Sequence, residues 1–173
     1  MLTFYSPSGW ERFANHQPGW WKESDAVAAL PLDTASNIRA FLKALTPAGA
    51  SEPALHFLAL SKYEVWPELI RQVATAANVV LFAGHVIPGR WPFRLWGGFH
   101  RQAWQRLSKV LVQSDASVSE LARWGIAAKA MGDPRFDRVL EAEKALGDQS
   151  ISSMRQWVGE RDCLVVGSGW DPE

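Results

Sequence analysis

Cysteine and long apolar runs are what this 173-residue chain most clearly lacks. Its single cysteine, Cys163, excludes an intrachain disulfide and a zinc site built from several cysteines. No apolar run approaches the roughly 18 residues of a membrane-spanning helix, and the first residues lack the basic-then-apolar order of a signal peptide. The formal net charge of +0 indicates no overall preference for nucleic acid.

Acidic residues are also missing from the middle of the chain, between Glu68 and Asp115. From Gly89 to Trp104, arginines instead alternate with aromatic rings. This composition is typical of a surface for anionic lipid headgroups and equally of one for single-stranded nucleic acid. We expect a buried stripe of Phe99, Ala103 and Leu107 and an exposed membrane or acceptor surface formed by Arg90, Trp91, Arg94, Trp96 and Arg101.

Short apolar runs alternate with segments of helical period along the chain. Most of the runs are apolar on both faces, which is typical of parallel strands covered by helices. The pattern predicts an α/β fold, a Rossmann-like parallel sheet flanked by helices. The predicted strands are Leu2–Tyr5, Ala26–Leu30, Leu55–Leu60, Val79–Ala83, Val110–Gln113, Ala128–Met131 and Leu164–Val166.

Capping signals place the helices between these strands. Pro67 suits a first helical turn, and Ser114 or Asp115 can cap a helix that ends at Gly125. Asp133-Pro134 should open another helix, with its apolar residues facing inward: Phe136, Val139 and Leu140.

A polar break over Leu146–Ser150 divides the chain. We expect residues 1–146 to form one domain. Residues 147–173 should hold a linker, a bridging helix around Ser152–Val158 and the first strand of a second domain, with Cys163 in that apolar strand pattern. Because the chain opens on a strand and ends on a strand with a glycine-rich turn, we expect the fold to be incomplete at both ends.

Two motifs at the ends of strands carry candidate chemistry. Ser6-Pro7-Ser8-Gly9 is either a capping box between Ser8 and Glu11 or an anion or sugar site made by backbone N–H groups. Glu64, within Lys62–Pro67, lies where a carboxylate can orient or deprotonate a hydroxyl. The alternative for Glu64 is an ordinary acid near a helix start.

Two further motifs have similar alternatives. Asp33-Thr34 is interpreted as a helix cap, and the less favoured alternative is a substrate contact. Arg135, on a first helical turn, is placed to meet a phosphate or carboxylate; otherwise it pairs at the surface with Asp137 or Glu141.

Other catalytic classes have little support. The histidines lack metal-ligand spacing, and His56 is expected to be a packed core residue within its strand; the others are His16, His85 and His100. No serine–histidine–acid set, Walker loop or GxGxxG motif is present, so hydrolase, ATPase and dinucleotide-binding functions are weakly supported.

Taken in order, the motifs resemble those of the 3-deoxy-D-manno-octulosonic acid (Kdo) transferases of lipopolysaccharide synthesis. The resemblance covers nearly the whole chain and rests on Ser6-Pro-Ser-Gly-Trp-Glu11, Leu30-Pro-Leu-Asp-Thr34, Lys62-Tyr-Glu-Val-Trp-Pro67, Val112-Gln-Ser114, Gly132-Asp-Pro-Arg-Phe-Asp-Arg-Val139 and Val166-Gly-Ser-Gly-Trp170.

The resemblance implies the N-terminal, acceptor-binding half of a GT-B glycosyltransferase. Such an enzyme transfers Kdo from CMP-Kdo to a phosphorylated lipid A precursor at the cytoplasmic face of the inner membrane, without a metal or other cofactor. Glu64 matches the residue with a catalytic or acceptor-orienting role. Substrate contacts are implied for the matching residues Ser6, Ser8, Gly9, Asp33, Thr34, Lys62, Arg135, Asp137, Ser168 and Trp170.

The resemblance also implies that the family's catalytic base, on a preceding glycine–glutamate motif, has no counterpart in this chain, so that the chain alone is inactive. Two alternatives stay open: another GT-B sugar transferase or sugar-nucleotide epimerase, and a noncatalytic peripheral module for anionic lipid or nucleic acid. The number of Kdo units, the native acceptor and the oligomeric state are not indicated by the sequence.

Overall fold

The computed structural model describes residues 1–46, 49, 55–87, 97–145 and 148–163. The chain divides into two compact units, Met1–Gly132 and Asp133–Glu173. In the first unit, strands alternate with helices in chain order: β1 (Leu2–Phe4), α1 (Pro7–Asn15), β2 (Val27–Ala29), α2 (Ala35–Ala44), β3 (Phe57–Ser61), α3 (Pro67–Val73), β4 (Asn78–Gly84), α4 (Gly98–Gln105), β5 (Lys109–Val112), α5 (Asp115–Ala122) and β6 (Lys129–Ala130).

The α/β fold with parallel sheets flanked by helices is confirmed, but the described strands form two sheets rather than one. β1 pairs with β2, and β3 to β6 pair in chain order; every pairing is parallel. Six of the seven predicted strands are present, with ends shifted by a residue or two. The seventh, Leu164–Val166, lies outside the described residues.

The core surrounds the four-stranded sheet. β4 and β5 supply its centre, and α2, α3, α4 and α5 cover it with side chains such as Ile38, Ile70, Trp104 and Leu121. β4 lies between β3 and β5, and its alternating burial shows that one face of the strand is covered more completely than the other. His56 precedes β3 and is exposed, so the prediction of a core histidine within the strand was wrong.

The local capping predictions have mixed outcomes. Ser114 is confirmed as the cap of α5, since its side chain accepts a hydrogen bond from the backbone N–H of Ser117, and Gly125 follows in the left-handed region at φ +70°. Pro67 is confirmed in the first turn of α3. The capping box at Ser8 was wrong, because α1 begins at Pro7 and its N-cap residue is Ser6.

The second unit contains α6 (Arg135–Ala145) and α7 (Asp148–Val158). The prediction that the apolar residues of α6 face inward was wrong: Phe136, Val139 and Leu140 are 70%, 63% and 53% exposed. An apolar stripe predicts which face of a helix is suited to burial, but a neighbouring element must be present to cover it. Cys163, expected in a strand, is an exposed free cysteine.

Candidate functional site

The carboxyl ends of β1 and β3 lie close together in the first unit. The rings of Tyr5, directly after β1, and Trp66, the N-cap residue of α3, have centroids 4.6 Å apart. In parallel α/β sheets, ligands bind beyond this edge of the strands. The contact therefore marks a candidate site between the loops that follow β1 and β3.

Glu64 has a fixed orientation within this site. Its Oε2 accepts a hydrogen bond of 2.7 Å from Trp66 Nε1, while its backbone N–H donates to the carbonyl of Ser61 at 3.1 Å. The residue is exposed, so its carboxylate is open to a ligand. An oriented carboxylate can accept the hydrogen of a sugar hydroxyl and so position that hydroxyl.

The backbone is unusual on both neighbouring strand ends. Lys62, directly after β3, adopts φ +57°, and Ala83 in β4 adopts φ +51°, values that are uncommon outside glycine. The register of β4 against β5 shifts between Leu81 and Gly84. A Cβ on Gly84 would lie 3.2 Å from Val112 Cγ1, so the tight approach of the two strands favours glycine there.

These distortions place two more polar rings at the strand ends. Tyr63 and His85 have ring centroids 6.1 Å apart in an edge-to-face arrangement. Val86, next to His85, is held by the fully buried Ser117, whose Oγ bonds both the N–H and the carbonyl of Val86. His85, from the segment after β4, therefore joins the Lys62–Glu64 motif along one edge, which the sequence did not indicate.

Asp33 has a role that the sequence did not reveal. Its two carboxylate oxygens accept hydrogen bonds from the backbone N–H groups of Glu68 and Leu69, at 3.0 and 2.9 Å. It thus caps α3, not the helix that follows it in sequence. That helix, α2, is capped by Thr34, which accepts from the N–H of Asn37 at 3.4 Å. The predicted cap at Asp33-Thr34 is therefore divided between two helices.

Glu68 is a buried acid that the sequence analysis did not single out. Hydrogen bonds from Arg71 and then Gln72 lower its pKa from 4.5 to about 2, against the opposing effect of burial. The Arg71 guanidinium lies 2.5 Å from Oε1 of Glu68, and Gln72 Nε2 lies 2.6 Å from the same atom. Its position in the first turn of α3, directly after Pro67, was the available signal, because acids are favoured there.

His100 on α4 is a second residue whose relation to the candidate site the sequence did not indicate. Burial lowers its pKa, and the negative charge of Asp33 opposes that effect. This electrostatic interaction links α4 to the Asp33 cap of α3. The sequence separation of the two residues gave no indication of it.

The sequence of the first unit matches a known protein family. Residues 1–138 match the family model of 3-deoxy-D-manno-octulosonic-acid transferase (kdotransferase). The chain belongs to the Kdo transferase family. The match spans the first unit, so that unit is a Kdo transferase N-terminal domain with a glycosyltransferase role. A comparison with curated proteins gave no match.

The Ser6–Gly9 motif of this Kdo transferase domain lies at the start of α1 and does not form the expected capping box. Ser6 Oγ and Ser8 Oγ lie 2.7 Å apart and share a hydrogen bond, and the Ser6 side chain makes no capping bond to α1. A Cβ on Gly9 would lie 2.8 Å from the Phe4 ring, so close packing explains the glycine without a ligand. Substrate contacts by Ser6, Ser8 and Gly9 stay predictions.

Arg135 lies in the second unit and has a different partner from those expected. Its guanidinium contacts Asp133 Oδ2 at 2.8 Å from Nε and 2.5 Å from Nη2. The Asp133 side chain is 5% exposed and that of Arg135 is 71% exposed. This pair with Asp133 was not among the partners expected from the sequence, which were Asp137 and Glu141. Asp137 lies in the first turn of α6 and is exposed.

Only part of the predicted basic and aromatic surface can be described. The Arg101 guanidinium lies 4.3 Å from the centroid of the Trp124 ring, a cation–π contact. Phe99, expected in the buried stripe, is 59% exposed, whereas Ala103 and Trp104 are buried. The predicted site residues outside the described part of the chain are Arg90, Trp91, Arg94, Trp96, Ser168 and Trp170.

Among the residues that the structure describes, no group of three or more histidine, cysteine, aspartate or glutamate side chains is arranged to hold a metal ion. Of the helices in this part of the chain, none is long and apolar enough to span a bilayer.

Proposed function

We propose that this chain supplies the acceptor-binding part of an enzyme that transfers Kdo from CMP-Kdo to a phosphorylated lipid A precursor. Its membership of the Kdo transferase family is the observation that carries the proposal, since the matched residues 1–138 include the whole first unit. The Glu64–Trp66 pair follows the carboxyl end of β3, and Trp66 also contacts Tyr5 at the end of β1, which supports the position of the acceptor.

In the proposed reaction, an acceptor sugar hydroxyl attacks the anomeric carbon of Kdo. The new glycosidic bond forms as the bond from that carbon to the CMP phosphate breaks, and CMP leaves with the bonding electrons. Glu64 accepts a hydrogen bond from the attacking hydroxyl and orients it. A separate base takes the proton of that hydroxyl.

The other candidate site residues have proposed roles around this acceptor. Lys62 neutralises an acceptor phosphate, aided by its position directly after β3. Asp33, Thr34, Arg135 and Asp137 are proposed to contact substrate. Ser168 and Trp170 are proposed to contact CMP-Kdo, and the enzyme uses no metal.

The proposed location is the cytoplasmic face of the inner membrane, with the protein bound peripherally. Phe99 on α4 is 59% exposed, which supports a surface that meets acyl chains. The absence of acidic residues between Glu68 and Asp115 also favours binding to an anionic membrane surface. Binding to anionic liposomes should fall when Arg90, Arg94 and Arg101 are replaced by alanine, and equal binding would contradict this location.

A transfer assay tests the proposal as a whole. Residues 1–173 are compared with a longer form that carries the corresponding segments of a family member at both ends, using CMP-Kdo and lipid A precursor. We expect transfer by the longer form and acceptor binding by both. If the longer, folded form neither binds CMP-Kdo nor modifies the lipid, the proposal is wrong.

A further inference from the structure

Tyr63 is an exposed aromatic residue in the turn that follows β3, directly before Glu64. The backbone on either side of it is fixed, since the N–H of Lys62 donates to the carbonyl of Phe82 in β4 at 3.0 Å. The N–H of Val65 donates to the carbonyl of Tyr63 itself at 2.8 Å. The turn therefore holds Tyr63 in one place while 69% of the residue stays exposed.

The neighbouring strand, β4, ends in a β-bulge that sets the direction of His85. Gly84 lies three positions after Leu81, whereas their partners on β5 are two positions apart, so β4 carries one extra residue. Because side chains alternate between the faces of a strand, Gly84 takes the buried face of Leu81 and His85 takes the opposite one. A Cβ on Gly84 would indeed lie 3.0 Å from the Leu81 side chain. Without the extra residue, His85 would share that buried face.

His85 is held in this position by its two neighbours in sequence. The carbonyl of Gly84 accepts a hydrogen bond from the N–H of Gln113 at 2.9 Å. Val86 is buried, and Ser117 Oγ lies 3.2 Å from its backbone nitrogen and 3.3 Å from its carbonyl oxygen. The half-buried His85 between them is therefore a fixed support for another side chain.

The rings of Tyr63 and His85 meet edge to face, with centroids 6.1 Å apart and an angle of 82° between their planes. This pair lies after the ends of β3 and β4, whereas the pair of Tyr5 and Trp66 lies after the ends of β1 and β3. Glu64 bonds Trp66 through its side chain and follows Tyr63 in the chain. Both aromatic pairs therefore adjoin the residue that is proposed to bind the acceptor hydroxyl.

A sugar offers two kinds of surface to such a group of residues. Its hydroxyl groups bind a carboxylate, as proposed for Glu64, while the C–H groups on the face of its ring pack on an aromatic side chain. Tyr63 is a fixed ring next to that carboxylate and can make the second contact. A flat nucleobase is held best between parallel rings that stack on both of its faces, and the angle of 82° excludes that arrangement for this pair.

We propose that the Tyr63 ring packs on the C–H face of the acceptor sugar whose hydroxyl binds Glu64, and that His85 is the positioning residue for this ring. The inference rests on the proposed transfer to a sugar hydroxyl, and it adds the contact by which the site selects its acceptor. Tyr63 thereby contributes to acceptor affinity, whereas Glu64 orients the reacting hydroxyl.

NMR titration of residues 1–173 with a soluble acceptor headgroup, a phosphorylated glucosamine disaccharide without acyl chains, tests the proposal. Sugar C–H protons on an aromatic face shift upfield, so the spectra report the contact as well as Kd. Tyr63→Ala should raise Kd about fivefold and reduce the upfield shift, because the ring is lost. Tyr63→Phe keeps the ring and should stay within about twofold of the unsubstituted chain. Urea unfolding checks that each variant is folded.

Trp20→Ala is the matched control. Trp20 is 67% exposed, close to the value for Tyr63, and its ring also contacts a neighbouring ring, that of Trp21, at 6.0 Å between centroids. It lies in the segment that leads into the amino end of β2, at the opposite end of the strands from the site. Its replacement should leave Kd unchanged.

The role of His85 is tested by rescue. His85→Ala should raise Kd about threefold, because the Tyr63 ring loses its support. His85→Phe retains an edge-to-face contact and should restore the Kd of the unsubstituted chain. Equal losses of affinity in the two variants would show that His85 does not act through its ring, and would overturn its positioning role.

The other outcomes separate this inference from the proposed function. If Glu64→Gln weakens headgroup binding and Tyr63→Ala does not, the inference is wrong and the proposed function is unaffected. Equal losses for Tyr63→Phe and Tyr63→Ala would show a contact by the hydroxyl instead of the ring, and would overturn the inference. An equal loss for Trp20→Ala would do the same. A folded, unsubstituted chain that does not bind the headgroup would overturn both the inference and the proposed function.

Discussion

Both sheets of the first unit consist of parallel strands, but their residues differ in burial. In the four-stranded sheet, Val79, Leu81 and Val112 are completely buried. In the two-stranded sheet, every residue of β1 is half-buried, and β2 ends in the exposed Ala29. The difference shows that a parallel strand is buried by neighbours on both edges as well as by helices on both faces.

The largest expected difference between the two sheets is in the free energy of unfolding that is lost when one leucine in each sheet is replaced by alanine. Leu81→Ala should lower the free energy of unfolding by about 3 kcal/mol, because a fully buried side chain leaves a cavity. Leu2→Ala in β1 is the matched control, and it should cost about 1 kcal/mol since Leu2 is only half-buried. Urea unfolding followed by circular dichroism measures both; equal losses would contradict the comparison.

A smaller effect is expected at the connection between the two regions. Asp33 follows β2 of the small sheet and caps α3, which packs on the large one. Asp33→Ala should lower the free energy of unfolding by about 1–2 kcal/mol, because two backbone N–H groups lose a charged acceptor.

Asp25→Ala is the control for that cap. Asp25 accepts one exposed hydrogen bond, from the backbone N–H of Lys22, and its replacement should cost less than about 0.5 kcal/mol. If urea unfolding gives the same value for both variants, the cap does not stabilise the connection.

The smallest expected effect on stability depends on pH and comes from Glu68 on α3, the helix that packs on the four-stranded sheet. The pKa of Glu68 is about 2 in the folded protein and 4.5 ordinarily, so its stabilising effect is complete above pH 4.5 and lost as the pH falls toward 2. Glu68→Gln should therefore cost about 1 kcal/mol at pH 7, given the half-exposed Arg71 partner, and almost nothing near pH 2.

The Glu68 prediction is checked by denaturant unfolding over that pH range, beside Glu23→Gln at an exposed acid. A loss of stability in Glu68→Gln that is the same at pH 7 and pH 2 would exclude the charge as its cause.

Local patterns predicted the elements of the fold well because their causes are local. Ser114 caps the helix directly after it, and Pro67 occupies a first turn, as expected from neighbouring residues alone. The apolar runs likewise located the six described strands. Their exact ends depend on pairing with a neighbour, which accounts for shifts such as that of β3 to Phe57–Ser61.

What the sequence did not indicate depends on distant contacts. Asp33 caps a helix about 35 residues away, and its charge acts on His100, on another helix. The apolar residues of α6 were expected to be buried, but a stripe carries no information about whether another element covers it. For Glu64, the motif predicted the position, whereas the hydrogen bond from Trp66 required the structure.

The central claim is that Glu64 positions the acceptor of a Kdo transferase. The most direct measurement is kcat/KM for Kdo transfer by the longer form carrying Glu64→Gln, beside Trp66→Phe and the control Glu23→Gln. We predict a loss of about a hundredfold or more for Glu64→Gln, a smaller loss of about tenfold for Trp66→Phe, which removes the orienting donor, and no loss for the control. Unchanged transfer by a folded Glu64→Gln enzyme would contradict the account.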